Sequence, residues 1–397
     1  MNNNILKRAL VRLHELYGEN PPILILDRFY KESALLKSSK LPLFLEATSL
    51  LKEKAKNDGE HIFVRGSTPC SFISFLLGAT EINPLPSHKY CPKCKMVTVN
   101  SSQLFPLDEH EAELCECGFP LHLDGYGLNF EMCYSNIGYP LVEIAVSPSY
   151  LKDSIALVSS HLKKSEGVKT TGDEACPFVR ILITNEKCQS LSANELSLLP
   201  HVTLAKLDVL EKFKELEKAT GVSFDTIKPS DKILLQFLNG ITHNDNRFFG
   251  ELLLKAKPKS YKELLTLIGF CHGTHVWKDN IEELFENKSL PICEYPAFRD
   301  DLYDMISKRL QEKGYHSGGI AYEIARRGSF GYYYNNGMIE SQKRILIELG
   351  FDMDFISFLE KVIYMSPKAH GICDLLHAIS LMWYKINYPN VYDKLFF

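Results

Sequence analysis

Hydrophobic and polar positions follow two different periods in the first 228 residues. Leu, Ile and Phe recur at helical spacing in residues 5–17 and again in residues 30–57. Three shorter runs have the apolar, β-branched character of strands: HIFVRG (61–66), PLVEIAV (140–146) and FVRILIT (178–184). A fourth run, VTLAKLDVL (202–210), leads into the charged helix EKFKELEKAT, which Gly221 can end. This half of the chain is therefore predicted to be mixed α+β.

From about residue 229 the pattern becomes almost wholly helical. Ser230 precedes DKILLQFL as an N-cap, and Ser260 with Glu263 fits the S-x-x-E capping box before LLTLIGF. Oxygens of such side chains accept hydrogen bonds from the free N–H groups of the first helical turn. Residues 229–397 are therefore predicted to form an all-helical domain.

Composition narrows the class of protein. With 397 residues, 45% of them hydrophobic and 24% charged, the chain has the size of two or three packed globular domains. Its net charge of −4 lacks the basic excess of a dedicated nucleic-acid binder. No stretch reaches the roughly 18 apolar residues of a membrane helix, and the amphipathic N-terminal segment differs from a secretory signal. A cytoplasmic location without membrane contact is expected.

The 11 cysteines are an odd number, and four of them stand in the close pairs CPKC (91–94) and CEC (115–117). This pattern favours a reducing compartment and one metal site over a disulfide framework. The predicted ligands of a closed, structural Zn²⁺ site are the four thiolates of Cys91, Cys94, Cys115 and Cys117. The second pair is one residue tighter than C-x₂-C, so His110 is an alternative ligand for one thiolate. The opposing interpretation is four cysteines without a metal.

Five segments in the same chain carry motifs in a recognisable order. They are FVRGSTPCSFISFLLGATEINPLPSHKYCPKCK (63–95), VKTTG (168–172), KLDVL (206–210), SYKELLTLIGFCHGTHVW (260–277) and YMSPKAHGICDLLHAISLMWYKINYP (364–389). Together they resemble the palm, zinc module and fingers of PolC-type (C-family) bacterial DNA polymerase III α subunits. Five collinear matches are far more specific than any one of these motifs alone.

The resemblance implies a nucleotidyltransferase-type palm with a small zinc-binding insertion, followed by an all-helical fingers domain. Residues 1–90 are then expected to hold N-terminal helices and the first part of the palm, and 91–123 the zinc module. The rest of the palm is expected at 124–228 and the fingers at 229–397. Where the family carries a long thumb, 148–167 leaves room for one helix. The resemblance covers a truncated part of the family's length, limited to these regions.

Polymerases of this family join a primer 3′-hydroxyl to a deoxynucleoside triphosphate through two Mg²⁺ ions. Three aspartates hold the ions, two in P-D-I-D-L and one in K-L-D-I-L. KLDVL keeps its acid as Asp208, but an ungapped alignment places Glu143 and Ala145 at the other two positions. The alternative alignment, with GLNF on the family's D-L-N-F, places Gly125 and Gly127 there. Both alignments lack at least one metal ligand, so robust polymerase activity is not expected.

The resemblance also implies contacts to nucleotide or DNA. They are expected from Arg65, Ser67, Lys169, Lys368 and His370. Neighbouring positions depart from the family: Pro69 replaces a loop glycine, Asp374 a tyrosine, Ser380 an arginine, and His275 an aspartate. Proline removes an N–H donor from a phosphate-binding loop, and Asp374 would repel a triphosphate.

Two functions stay open on the sequence. The first is a catalytically impaired PolC-like protein that binds DNA or a replication protein and modulates or competes with the host replicase. The alternative is a residual DNA-directed DNA polymerase or nucleotidyltransferase that uses Glu143 and Asp208 with Mg²⁺ or Mn²⁺. A decayed gene product with a folded core is a third interpretation. Apolar faces could be covered by a partner or by a second copy, so a homo-oligomer is compatible with the sequence.

Overall fold

The computed structural model describes residues 2–36, 41–99, 105–109, 113–133, 142–163, 167–172, 176–184, 199–238, 247–288, 292–315, 318–330 and 338–397. The chain divides into two compact units. Unit 1 comprises Met1–Ile227 together with Tyr384–Phe397, and unit 2 comprises Lys228–Trp383. The two units divide between Ile227 and Lys228, next to the boundary expected at residues 228 and 229. Residues 384–397, which were expected in the helical domain, group with unit 1 instead.

A five-stranded mixed sheet lies in unit 1. In spatial order its strands are β1 (Ile62–Gly66), β5 (Val142–Val146), β8 (His201–Lys206), β7 (Phe178–Thr184) and β6 (Gly167–Thr171). β5 and β8 run parallel, and the other neighbouring pairs are antiparallel. Ile144 and Ala145 point to opposite faces of β5 and are both fully buried. The centre of the sheet is therefore covered on both sides.

A second, three-stranded antiparallel sheet spans the predicted zinc module. Its order is β3 (Val97–Val99), β2 (His88–Tyr90) and β4 (His122–Asp124). Directly after β4, Gly125 has a φ of +95°, and a Cβ there would lie 2.4 Å from the Pro86 carbonyl oxygen. Only glycine fits this close approach of two backbone segments.

The helices of unit 1 bury one apolar face each. They are α1 (Asn2–Tyr17), α2 (Ile23–Leu36), α3 (Leu41–Asp58), α4 (Phe72–Leu76), α5 (Leu151–Lys163), α6 (Val209–Thr220) and, near the C-terminus, α16 (Pro389–Phe396). In α1 the buried residues Ile5, Ala9, Leu13 and Tyr17 recur every fourth position, which places them on one face. Between residues 148 and 163 the chain forms a short helical turn and then α5.

The strand predicted at 202–210 ends earlier than expected. β8 stops at Lys206, whose partner Val146 is the last residue of β5, and the Leu207 N–H then bonds the Val146 carbonyl at 2.9 Å. β5 itself ends at Val146, and the chain then turns so that α6 begins at Val209. Gly221 ends α6 with a φ of +71°, as the sequence predicts.

The described part of unit 2 is helical. Its helices are α7 (Asp231–Leu238), α8 (Arg247–Ala256), α9 (Tyr261–His272), α10 (Glu282–Lys288), α11 (Arg299–Glu312), α12 (Gly318–Gly328), α13 (Glu340–Glu348), α14 (Met353–Lys361) and α15 (Lys368–Asn387), the last of which continues into unit 1. The Ser260 hydroxyl accepts from the Glu263 N–H at 3.1 Å, so the predicted cap of α9 is confirmed. A mixed α+β half followed by a helical half is thus confirmed as well.

Across the described ranges, no helix combines the length and apolar character needed to cross a membrane.

Candidate functional site

Arg65 and Glu143 face each other across β1 and β5. Arg65 Nη2 and Nε donate to Glu143 Oε1 at 2.6 and 3.0 Å, and the two side chains are only 18% and 28% exposed. Such charge-assisted hydrogen bonds are roughly twice as strong as neutral ones. The sheet therefore joins a predicted nucleotide contact to a predicted metal ligand.

The next position on the same face of β5 is Ala145. It lies opposite Ala205 of β8, and it is fully buried. Asp208 lies beyond the end of β8, exposed at the start of α6. Glu143 pairs with Thr203, so at about 3.3 Å per residue its backbone lies roughly 10 Å or more from that of Asp208 along the sheet. Ala145, between them, offers no oxygen.

The loop after β1 carries the predicted phosphate contact Ser67. Ser67 is 3% exposed and precedes a short 3₁₀ turn, Thr68–Cys70, with Pro69 in its first turn. Proline is tolerated there because the first N–H groups of a helical turn have no internal partner. The Ser67 hydroxyl is thus buried inside unit 1.

A buried ion pair from α2 holds this loop. Glu32 is fully buried and accepts from Arg28 Nε at 2.5 Å, from the Ser71 hydroxyl at 2.8 Å and from the Phe72 N–H at 2.9 Å. Arg28 also donates to the Cys70 carbonyl at 2.6 Å. Sequence reasoning missed both residues, because a Glu on an amphipathic helix gives no sign of partners some forty positions away.

Lys169 is exposed on β6, at the edge of the five-stranded sheet. Its backbone pairs with Leu182 of β7. Of the five predicted contacts to nucleotide or DNA, it is the most exposed.

The four predicted zinc ligands lie together in unit 1 and are called the cysteine cluster below. The sulfurs of Cys91, Cys94, Cys115 and Cys117 all lie within 4.8 Å of one another. Cys91 and Cys117 are 3.5 Å apart, and Cys94 and Cys115 are 3.4 Å apart. A tetrahedron with Zn–S bonds of about 2.3 Å has edges of roughly 3.8 Å, so this donor set could hold a zinc ion. His110 lies outside the described residues.

Two tight turns bring the sulfurs together. The Lys95 N–H bonds the Cys91 carbonyl at 2.9 Å, and the Gly118 N–H bonds the Cys115 carbonyl at 2.8 Å. Burial raises the pKa of the Cys91 thiol, but hydrogen bonds from the N–H groups of Cys94 and Lys93 outweigh it and lower the pKa to about 6. At Cys115 a hydrogen bond from the Cys117 N–H lowers the pKa, but burial and contacts with the other three thiols outweigh it and raise the pKa to about 12. Of these two thiols, Cys91 is the one that favours the thiolate, the form that binds metal.

In unit 2, Lys368 begins α15 against two aspartates of α11. Its Nζ donates to Asp301 Oδ1 at 2.8 Å, and its backbone N–H donates to Asp300 Oδ2 at 2.8 Å. Burial alone would lower the pKa of Lys368, but the charge and hydrogen bond of Asp301 raise it above its ordinary value. This predicted nucleotide contact is therefore a charged lysine inside an ion pair.

His370 lies one turn before Asp374 on α15 and next to His272 at the end of α9. Asp374 Oδ2 is 3.3 Å from both His370 Nε2 and His272 Nδ1. One donor atom from each of the three residues lies within 4.8 Å of the others, and we call them the histidine–aspartate cluster. The carboxylate that was expected to repel a triphosphate thus faces two imidazole rings.

The family profile described as the bacterial DNA polymerase III alpha subunit finger domain matches residues 203–311. Over nearly its whole length the chain is also similar to PolC-type DNA polymerases III. It is 24% identical to that of Thermotoga maritima, with 96% of this chain aligned, and 25% identical to that of Mycoplasmopsis pulmonis, also over 96%. Identity to the Pediococcus pentosaceus protein is 24% over 100% of the chain. This chain is a distant relative of the PolC-type DNA polymerases III.

The alignment covers 34%, 32% and 33% of those three relatives, so the chain spans about a third of the length of the PolC-type proteins it matches. The resemblance inferred from five motifs is confirmed, as is a finger-domain region. Within unit 1, β5 neighbours β8, whereas Gly125 and Gly127 lie outside both sheets. The two alignments of the PolC acid strand thus place the acid positions differently: Glu143 and Ala145 lie on β5, and Gly125 and Gly127 lie in the segment that follows β4.

Proposed function

We propose that this PolC relative acts by binding and does not extend primers efficiently. In this proposal the five-stranded sheet is a nucleotidyltransferase palm, and the helices of unit 2 belong to the fingers. The target is primer–template DNA or a protein of the replication machinery, through which the chain would modulate or compete with a full replicase.

Ala145 carries this proposal. Two-metal phosphoryl transfer needs carboxylates that clamp two ions about 3.5–4 Å apart. Ala145 stands on β5 beside β8, where the ungapped alignment has an aspartate in the family, and its methyl group has no oxygen to donate. The alternative alignment has Gly125 and Gly127 at the acid positions, and neither glycine has a carboxylate. It is also fully buried, which leaves no space beside it for ordinary hydration of an ion.

The ion pairs support the same conclusion. Arg65 lies against Glu143, Lys368 against Asp301, and His370 against Asp374. Each of these three predicted contacts would have to leave a carboxylate before it could bind a triphosphate. Breaking a partly buried pair leaves an uncompensated charge and costs on the order of a few kcal/mol.

We further propose that the cysteine cluster binds a structural Zn²⁺ that folds residues 88–124. Four thiolates leave no open ligand position, which is typical of structural rather than catalytic zinc. Among the described residues of 88–124, Leu107 is the one buried apolar side chain besides the cysteines, so an ion would supply much of the stability of this segment.

The alternative is weak residual nucleotidyl transfer with Mg²⁺ or Mn²⁺ held by Glu143 and Asp208. One observation favours it: both acids are partly or fully exposed and lie on adjoining strands or just beyond them. Its weakness is that Glu143 would have to leave Arg65.

Primer extension on a primed template, first with Mg²⁺ and then with Mn²⁺, tests the proposal. We expect no incorporation by the wild-type protein, and a measurable gain from Ala145→Asp, which supplies the missing carboxylate. Ala205→Asp is the matched control, because it adds an acid at the opposing position of β8. Incorporation by wild-type protein that disappears in Asp208→Ala would establish the alternative.

Anisotropy of a labelled primer–template at several salt concentrations then identifies the target. Phosphate contacts make affinity fall with salt, and losing one contact reduces the logarithmic slope by about one. If DNA is the target, Lys169→Ala should lower that slope while Lys163→Ala serves as a control on α5. Salt-independent or absent DNA binding, together with binding of a purified replisome protein, would assign the protein target instead. If the protein binds neither the primer–template nor a replisome protein, the proposed binding function is wrong.

A further inference from the structure

We propose that the histidine–aspartate cluster of unit 2 is a second metal site, which binds a divalent transition-metal ion, with Zn²⁺ preferred. His272, His370 and Asp374 supply one donor atom each. The proposal concerns an ion held by the helices of unit 2, and it stands whether or not the palm proposal does.

The distances fit a tetrahedral ion. With Zn–N and Zn–O bonds of about 2.0–2.1 Å, two ligand atoms of a tetrahedral site lie roughly 3.3–3.4 Å apart. Asp374 Oδ2 is 3.3 Å from both histidine nitrogens, and the third pair lies within 4.8 Å. Charge-assisted N–H···O bonds are usually shorter, about 2.7–2.9 Å. Both contacts to the carboxylate thus have the length of an edge of a coordination tetrahedron.

The helices hold the ligands in place without the ion. The Phe298 ring packs between α9 and α15 at two glycines: a Cβ at Gly269 would lie 2.7 Å from the ring, and one at Gly371 would lie 2.5 Å from it. These close approaches place His272, three residues after Gly269, beside the residues that flank Gly371. The end of α9 is also fixed, because the Thr274 N–H donates to the Tyr364 carbonyl at 2.8 Å. Ligands fixed by packing bind an ion at a lower entropic cost.

Donor type and exposure define the class of ion. Imidazole nitrogens suit Zn²⁺ and other transition metals, whereas Mg²⁺ and Ca²⁺ prefer oxygen. The side chains of His272, His370 and Asp374 are 39%, 17% and 21% exposed, so the cluster is open to solvent on one side. Three protein ligands with an accessible fourth position, which water can occupy, contrast with the closed four-thiolate set of unit 1.

Metal content and calorimetry test the proposal. Protein whose cysteine cluster is already loaded is titrated with ZnCl₂, and we expect one additional equivalent to bind. Asp374→Asn, which preserves shape, and His370→Asn should each weaken that binding at least tenfold, as expected for loss of a ligand. Replacement of Zn²⁺ by Co²⁺ should add weak d–d bands without the thiolate charge-transfer band that marks the cysteine cluster.

His275→Asn is the matched control. This exposed histidine follows His272 by three residues and has a φ of +55°, which asparagine tolerates. It should bind the added Zn²⁺ as the wild type does. Thermal unfolding checks that every variant is folded. Absence of saturable Zn²⁺ binding by folded wild-type protein, or equal binding by wild type, Asp374→Asn and His370→Asn, would overturn the proposal.

Discussion

The two clusters of metal-type side chains lie in different units and are built differently. The cysteine cluster comes from two tight turns beside a three-stranded sheet with strands of three residues each. The histidine–aspartate cluster comes from α9 and α15, helices with extensive buried faces that include Leu264, Leu265 and Ile372. In the first, the described contacts around the ligands are the hydrogen bonds of the two turns and of a sheet that packs against Tyr17 of α1. In the second, the apolar core positions them.

This difference in construction determines how a bound ion would affect stability at each cluster. Where ligands bring the chain together, the free energy of metal binding is also folding free energy. Where helices already fix the ligands, an ion adds stability only through mass action. We therefore expect the cysteine cluster to be needed for folding and the other cluster to load and unload reversibly.

The largest expected effect follows from Cys91→Ala. Structural zinc supplies on the order of 10 kcal/mol in isolated zinc-finger peptides, so residues 88–124 should unfold and one equivalent of zinc should be lost. Hydrogen exchange across this segment and metal analysis are the measurements. Cys293→Ala, at an exposed cysteine outside the cluster, is the control. It should change neither the hydrogen exchange of residues 88–124 nor the zinc content. Slow exchange retained in Cys91→Ala would contradict a folding role for the ion.

A smaller effect is expected when the ion is removed from the histidine–aspartate cluster by a weak chelator. At a free ion concentration of about 100 times Kd, binding stabilises a protein by roughly 2.7 kcal/mol. The melting temperature of unit 2 should then fall by roughly 5–10 °C while its helical signal below the transition is kept. Loss of helix on chelation would show that this cluster, too, is required for folding.

Asp300→Ala should have a comparable or smaller effect, confined to unit 2. Asp300 is 1% exposed and accepts the Lys368 N–H, so the variant leaves a buried donor without its acceptor at the start of α15, a cost of about 1–3 kcal/mol. Because α15 carries His370 and Asp374, Zn²⁺ binding there should weaken, with the cysteine cluster unaffected. Asp300→Asn keeps an acceptor oxygen. It should therefore lose less stability and less Zn²⁺ affinity than Asp300→Ala in the same melting and titration experiments.

The smallest effect is a pH dependence that reports on unit 1. Burial raises the pKa of Glu217, but hydrogen bonds from His61, the Phe224 N–H and the Ser223 hydroxyl outweigh it and lower the pKa below its ordinary value of 4.5. The ionised form is favoured by folding, so this stabilisation is present above about pH 4.5 and is lost as the pH falls through the lowered pKa. Melting curves between pH 6 and about 3 should show a shallower acid decline for Glu217→Gln. Glu215→Gln, exposed on the same helix, should follow the wild type.

Local patterns predicted much of the fold. Strand-like runs correctly predicted β1, β5, β7 and β8, and capping residues correctly predicted the starts of α7 and α9. Each of these signals is contained in a few neighbouring side chains. The paired cysteines predicted their own cluster for the same reason. Where β8 ends could not be predicted, since that depends on the length of its neighbour β5.

Contacts between distant residues were beyond this reasoning. Asp374 is predicted from the sequence only to repel a triphosphate, and His272 carries no prediction, because nothing in the sequence indicates that α9 and α15 meet at Phe298. Glu32 and Arg28 gave no signal either, although they fix the loop that carries Ser67. In each case the partner lies dozens of positions away and is found only by packing.

Unit 1 is assembled from both ends of the described chain, and this has a consequence during synthesis. Tyr392 of α16 is fully buried, Lys212 of α6 lies 4.2 Å from the Phe396 ring, and the Tyr384 hydroxyl donates to the Val222 carbonyl. Residues 228–383 must leave the ribosome before these contacts can form, which at about 5–20 residues per second takes roughly 8–30 s. For that interval the nascent polypeptide exposes the unfinished surface of α6, so a chaperone that shields it should raise the yield of native protein.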